Sequence, residues 1–141
     1  MSASLSPIAA SINVAIGGAI GAVLRYQLGR GMTGWLGAPI VGAFPFATLA
    51  ANAIGSLLMG VLAGWLARHG GEGGVAPDQL RLLLGVGLLG GFTTFSAFSL
   101  DVLYLIERGR NAAALGYVSA SVLLSVLGLY MGLTLARVWM Q

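Results

Sequence analysis

The 141-residue sequence has no cysteine and no lysine, and only four acidic residues. Without cysteine there is no disulfide framework, no thiolate metal site and no cysteine nucleophile. The pI near 10 comes from seven arginines. They stand singly or in pairs between apolar runs, which offers no stripe to a phosphate backbone, so nucleic acid is excluded as a partner. Charged residues are 8% of the chain, far below the roughly 25% of a soluble domain. Catalytic signatures are missing as well: there is no G-x-S-x-G, no H-E-x-x-H and no phosphate loop ending in Gly-Lys. The sequence therefore reads as a non-enzyme. The start, Met1 to Pro7, lacks the positive region of a cleavable signal, so targeting falls to the first span.

What is present is apolar. Hydrophobic residues make up 57% of the chain, glycine occurs 23 times and the mean hydropathy is +0.92. This composition predicts an all-α, multi-pass membrane protein whose partner is the lipid bilayer, with residues 1–141 forming one membrane domain. Four spans are expected, at about 8–29, 47–67, 80–106 and 112–138. Gly17 with Gly21, and Gly60 with Gly64, are small-xxx-small pairs that let helices approach closely. Residues 30–46 read as a turn-rich connection, with Trp35 and Phe44 at the membrane interface. Residues 68–78 read as a polar loop with a solvated His69 near Glu72, and Pro77-Asp78 as a helix start capped by Asp78. A literal G-x-G-x-x-G at 85–90 lacks the preceding strand that a dinucleotide site needs, so it is set aside as chance.

The third apolar segment contains Gly90-Gly91-Phe92-Thr93-Thr94-Phe95-Ser96-Ala97-Phe98. Paired glycines and paired β-branched threonines make poor helix, so a break near the middle of this span is expected. In lipid, backbone released from a helix must find internal partners or line a polar cavity. Other polar groups lie within reach. Thr48, Asn52 and Ser56 share one face of the second span, and Tyr117, Ser121, Ser125, Gly128 and Gly132 share one face of the fourth. Both faces have plainer readings too: an amide bonding a neighbouring helix, and a small-residue packing seam. Arg25 lies near the expected end of the first span, where it can snorkel to the interface or face an aqueous vestibule. Asp101 is ionisable at membrane depth and is a functional candidate on that ground.

Most of these groups are neutral hydrogen-bond donors. A cation path would show rings of acidic residues, so a donor-lined path suits an anion better. Phe95 and Phe98, three residues apart, can add their electropositive ring edges. Topology is nearly unbiased. Arg68, Arg81 and Arg137 fall on one side of the membrane, against Arg25, Arg30, Arg108 and Arg110 on the other. Balanced arginines predict insertion both ways up. An antiparallel, dual-topology homodimer would accommodate this and help four spans enclose a path.

The nonapeptide Gly-Gly-x-Thr-Thr-Phe-Ser-x-Phe at 90–98 closely resembles the signature of the Fluc (CrcB) fluoride channels. Gly21-Ala22-x-x-Arg25-Tyr26, Thr48-Leu49-x-x-Asn52-x-x-Gly55 and Glu107-Arg108-Gly109-Arg110 extend the resemblance over nearly the whole chain. It implies a dual-topology homodimer with two antiparallel fluoride pores in the plasma (inner) membrane. The pores would let fluoride leave the cell passively and so confer fluoride resistance. It implies broken third helices crossing at the dimer centre, with the carbonyls of Gly90 and Thr93 holding a structural Na⁺. It further implies pore roles for Phe95, Phe98 and Asn52, for Tyr117, Ser121 and Ser125, and for Arg25, with Thr94 and Asp101 beside them. Ala97 replaces a threonine common in the family, and Asp101 stands where many relatives carry glutamate.

Three rivals compete. A small multidrug-resistance-type exporter needs a carboxylate in its first span, and residues 8–24 contain none. A proton-coupled fluoride exporter would use Asp101 as its proton carrier. A purely structural membrane protein is the third.

Overall fold

A serine begins the first helix. Ser6 Oγ accepts from Ala9 N at 3.2 Å, and Pro7 sits where its missing N–H leaves nothing unpaired. The computed structural model describes residues 5–69 and 75–139. Among these residues the fold is all helical. Four stretches are long and apolar enough to cross a membrane: Pro7–Leu36, Phe46–His69, Pro77–Glu107 and Asn111–Val138.

Helix α1 (Pro7–Leu36) runs past the expected end at residue 29. Gly29, Gly31 and Gly34 stay helical because continuing the helix satisfies their backbone groups internally, which an apolar medium demands. The turn comes only at Gly37, where φ is +86°. A six-residue helix, α2 (Ala38–Ala43), then occupies what reads as loop in the sequence. Helix α3 spans Phe46–His69. The third span opens with α4 (Val75–Leu80), continues as a π-helical segment (Arg81–Leu89) and reaches α5 (Gly90–Phe92). Thr93 and Thr94 are extended, and α6 (Phe95–Glu107) comes after them. Helix α7 (Asn111–Trp139) completes the fold.

The G-x-G-x-x-G stretch lies within the third span and is preceded by helix. Asp78 does not cap a helix start, because α4 begins at Val75 and Asp78 lies inside it. Asp78 instead forms an exposed pair with Arg81 at 3.9 Å, a contact worth about 0–1 kcal/mol. His69 is half-buried, with Nδ1 3.0 Å from Trp65 O and its ring stacked 4.7 Å from that of Trp65. Its expected neighbour Glu72 lies outside the described residues, as do residues 1–4.

Glycine seams hold the spans together. A Cβ on Gly17 or Gly21 would overlap the carbonyl oxygens of Leu83 or Leu88, so α1 packs backbone to backbone on the π-helical segment. Gly60 and Gly132 do the same between α3 and α7, where a Cβ would overlap Leu129 O and Leu57 O respectively. Gly91 remains helical and serves this purpose too, since its Cβ position lies 3.0 Å from Gly18 Cα. Few large side chains are buried. The outward stripe Ile8, Ile12, Ile16 and Ile20 on α1 is exposed, as expected for a surface facing lipid or a partner.

Candidate functional site

The site is built where the third span leaves helical geometry. Thr93 (φ −81°, ψ 156°) and Thr94 (φ −154°, ψ 124°) are extended; Thr93 N still bonds to Leu89 O at 2.9 Å, but Thr94 N leaves the helical ladder. Asn52 supplies replacements from α3. Its Nδ2 donates to Thr94 O at 3.1 Å, and its Oδ1 accepts from Thr94 N at 2.8 Å. One amide side chain therefore clamps both polar groups of one extended residue. Thr94 Oγ1 accepts from Ala97 N at 3.1 Å and so starts α6. Because Thr94 N and Ala97 N are both turned elsewhere, the carbonyls of Gly90 and Thr93 lack the N–H that each would meet four residues on in continuous helix. Arg25 reaches the same region from α1, with Nε donating to Gly91 O at 3.3 Å. Because α1 continues to Leu36, Arg25 stands in the body of the helix, half-buried and turned toward the third span.

A cavity of about 540 Å³ opens beside the clamp, lined by Asn52, Thr93, Thr94, Phe95, Phe98, Ser121 and Ser125 among others, with Gly90 at its edge. A second cleft, of about 670 Å³, holds Arg25, Tyr26, Arg30, Thr48 and Ala97. Thr94 lines both, so the clamped residue forms a wall between the two spaces. The ring of Phe95 is 79% exposed and stands 5.4 Å from that of Phe98. Among the described residues Ser121 Oγ is buried with no hydrogen-bond partner, a costly state for a polar group.

Tyr117 and Asp101 lie behind this cavity. Tyr117 is fully buried, its ring 5.3 Å from Phe98, and its hydroxyl donates to Asp101 Oδ2 at 3.2 Å. Asp101 borders a separate pocket of about 130 Å³ with Phe44 and Arg108. The fourth-span stripe thus divides: Gly128 and Gly132 pack on α3, while Ser121 and Ser125 line the cavity. The cavity wall offers hydroxyls, an amide and aromatic rings but no carboxylate, which suits an anion. Among the described residues no group of three or more His, Cys, Asp or Glu is placed to hold a metal.

A family model described as CrcB-like protein, Camphor Resistance (CrcB), matches residues 12–133. The chain belongs to the CrcB family. A protein of Erythrobacter litoralis is 61% identical to this CrcB chain over 136 residues, covering 96% of this chain and 98% of that one. Proteins of Novosphingobium aromaticivorans and Rhodospirillum centenum are each 56% identical over 124 residues, covering 88% of this chain and 93% and 92% of theirs. All three bear the name fluoride-specific ion channel FluC.

Two features of this CrcB chain escape sequence reasoning. Phe44, expected at the interface, turns inward and meets Tyr117 edge-on at 5.6 Å and 86°. Arg108 and Arg110, which the sequence offers only as part of the arginine balance and of the motif at 107–110, donate to the carbonyls of Gly42 and Ala43. The signal available was two arginines flanking a glycine, opposite a Gly- and Pro-rich stretch.

Proposed function

We propose that this CrcB chain is a fluoride-specific ion channel that lets fluoride leave the cell passively and lowers its cytoplasmic concentration. The observation carrying this reading is the donor-lined cavity beside the Asn52–Thr94 clamp, whose wall contains no carboxylate. The shared name of relatives that align over nearly their full length supports it. Fluoride is small and strongly hydrated, so a narrow path must replace its water with donors. Ser121, Ser125 and Asn52 are such donors, and Phe95 and Phe98 add ring edges. Ser121 Oγ, buried and without a partner among the described residues, has a hydroxyl to donate. Neutral donors also bind weakly enough to release the ion.

The working unit of this proposal is an antiparallel, dual-topology homodimer spanning the plasma (inner) membrane. Balanced arginines support it, as does the exposed Phe95 ring beside an open cavity, which one chain alone leaves unenclosed. The discontinuity at Thr93 and Thr94 would then lie at the dimer centre. The carbonyls of Gly90 and Thr93, released from the helical ladder, are hard oxygen donors that fit a Na⁺ ion. Bound there, Na⁺ would supply positive potential to both paths. Proton-coupled export is disfavoured because Asp101 is engaged by Tyr117 and lies off the cavity. The missing first-span carboxylate weighs against a drug exporter.

Purified protein in liposomes is expected to release fluoride once a potassium ionophore relieves the charge imbalance, with no proton ionophore required. No release, or release that demands proton counter-movement, overturns the channel. In the same assay Phe95→Ile and Phe98→Ile should each lower flux by about fivefold, since ring-edge interactions are worth on the order of 1 kcal/mol. Wild-type flux in both variants would remove the rings from the mechanism.

A further inference from the structure

The turn joining α6 to α7 reaches across to the end of α2, and its geometry is set by a glycine. Gly109 adopts φ +69°, with Gly109 N bonded to Ile106 O at 2.8 Å and Arg110 N to Leu105 O at 2.9 Å. This is the paired hydrogen-bond pattern of a Schellman helix end, anchored on the buried Leu105. It presents Arg108 and Arg110 from either side of Gly109. Arg108 Nη1 donates to Gly42 O at 3.0 Å, and Arg110 Nη1 donates to Ala43 O. Gly42 and Ala43 are the last two residues of α2, where carbonyls have no partner within the helix and attract cations. Six residues are too few for a helix to persist on its own propensity. Among the described residues neither arginine has a carboxylate within ion-pair distance. Their hydrogen bonds go to backbone.

The residue just past α2 matters for conduction. Phe44 is extended at φ −150° and ψ 137°, and its ring stands edge-on to Tyr117. Tyr117 in turn packs on Phe98, and Tyr117 is wholly buried, so it has no free space to absorb a movement of Phe44. We infer that Arg108 and Arg110 are positioning residues for the fluoride path: by capping α2 they hold Phe44, and through Phe44 and Tyr117 they set the place of the Phe98 ring. The inference rests on the channel reading for its functional consequence, but not for its geometry.

The rival role for two arginines near an anion path is electrostatic steering, and screening separates the two. Steering weakens as the Debye length shrinks, whereas packing does not. The variant Arg108→Met with Arg110→Met keeps apolar stems and removes the donors. Its fluoride flux in liposomes should fall about tenfold, in line with coupling energies between packed neighbours. The fractional loss should be equal at about 0.03 and about 0.3 M salt, across which the screening length changes roughly threefold.

A second readout needs no conduction. In protein labelled with 4-fluorophenylalanine, the ¹⁹F signals of Phe44 and Phe98, assigned through Phe44→Leu and Phe98→Ile, should move in the arginine variant while that of Phe92 stays. If the double variant does not yield folded protein, Arg108→Met alone should still shift the Phe44 signal. Unmoved Phe44 and Phe98 signals, wild-type flux, or a loss that disappears at high salt each overturn the inference. If wild-type protein carries no fluoride, the channel reading fails while the ¹⁹F spectra still decide whether the arginines hold these rings.

Discussion

Asn52→Asp is expected to lower fluoride efflux by about three orders of magnitude. Asn52 both donates to and accepts from the backbone of Thr94, the residue that separates the two clefts. A carboxylate can still accept from Thr94 N, but it has nothing to offer Thr94 O and repels that oxygen. It also places a negative charge on the wall of an anion path. Two unit charges about 4 Å apart repel by roughly 4 kcal/mol at an effective dielectric constant of 20, which is about a thousandfold in occupancy. Asn52→Leu isolates the clamp from the charge. It leaves Thr94 N without a partner at about 1–3 kcal/mol, so flux should fall less steeply and folded protein should be less stable. Efflux from liposomes measures both. Undiminished flux through Asn52→Asp would make Asn52 a packing residue alone.

Gly60→Val should leave little folded protein. A Cβ at Gly60 overlaps Leu129 O and lies 3.0 Å from Leu133 N, and these backbone atoms yield only if α7 moves as a whole. Moving α7 displaces Ser121, Ser125 and Tyr117 together. Overpacking costs about 1–3 kcal/mol where side chains can adjust, and here none can, so a loss of about 3 kcal/mol or more is expected from a total of roughly 5–15. Gly116→Val is the matched control on α7, because a Cβ there meets nothing within 4 Å. Folded yield and thermal stability in detergent give the comparison. Equal behaviour of the two variants would show that the α3–α7 seam is not close-packed.

Much of this was legible in one dimension. Apolar runs of sufficient length mark the four spans, because transfer to lipid depends on composition over about 20 residues. The pairs Gly17/Gly21 and Gly60/Gly64 announce close helix approach for the same kind of reason, since residues four apart share a face. Ends of elements were less legible. Gly31 and Gly34 read as turn by propensity, yet they stay helical where backbone must satisfy itself. The Gly90-Gly91 pair read as freedom and serves contact, because Gly91 lies against Gly18. Thr93 and Thr94 are the residues that leave helical geometry.

The sequence by itself determined the medium, the number of spans, the stock of neutral donors and the CrcB membership. Hydropathy and short periodicity are local properties, and both survive without knowledge of the fold. Only the tertiary structure decided that Asn52 spends its amide on Thr94, 42 residues away, and that Arg25 reaches Gly91 across 66. Only it placed Tyr117 behind Phe98 and turned Arg108 and Arg110 onto the end of α2. Such pairings depend on how far helices can approach and at what register. Those distances are set by glycine seams acting between helices, and no pattern within one helix contains them.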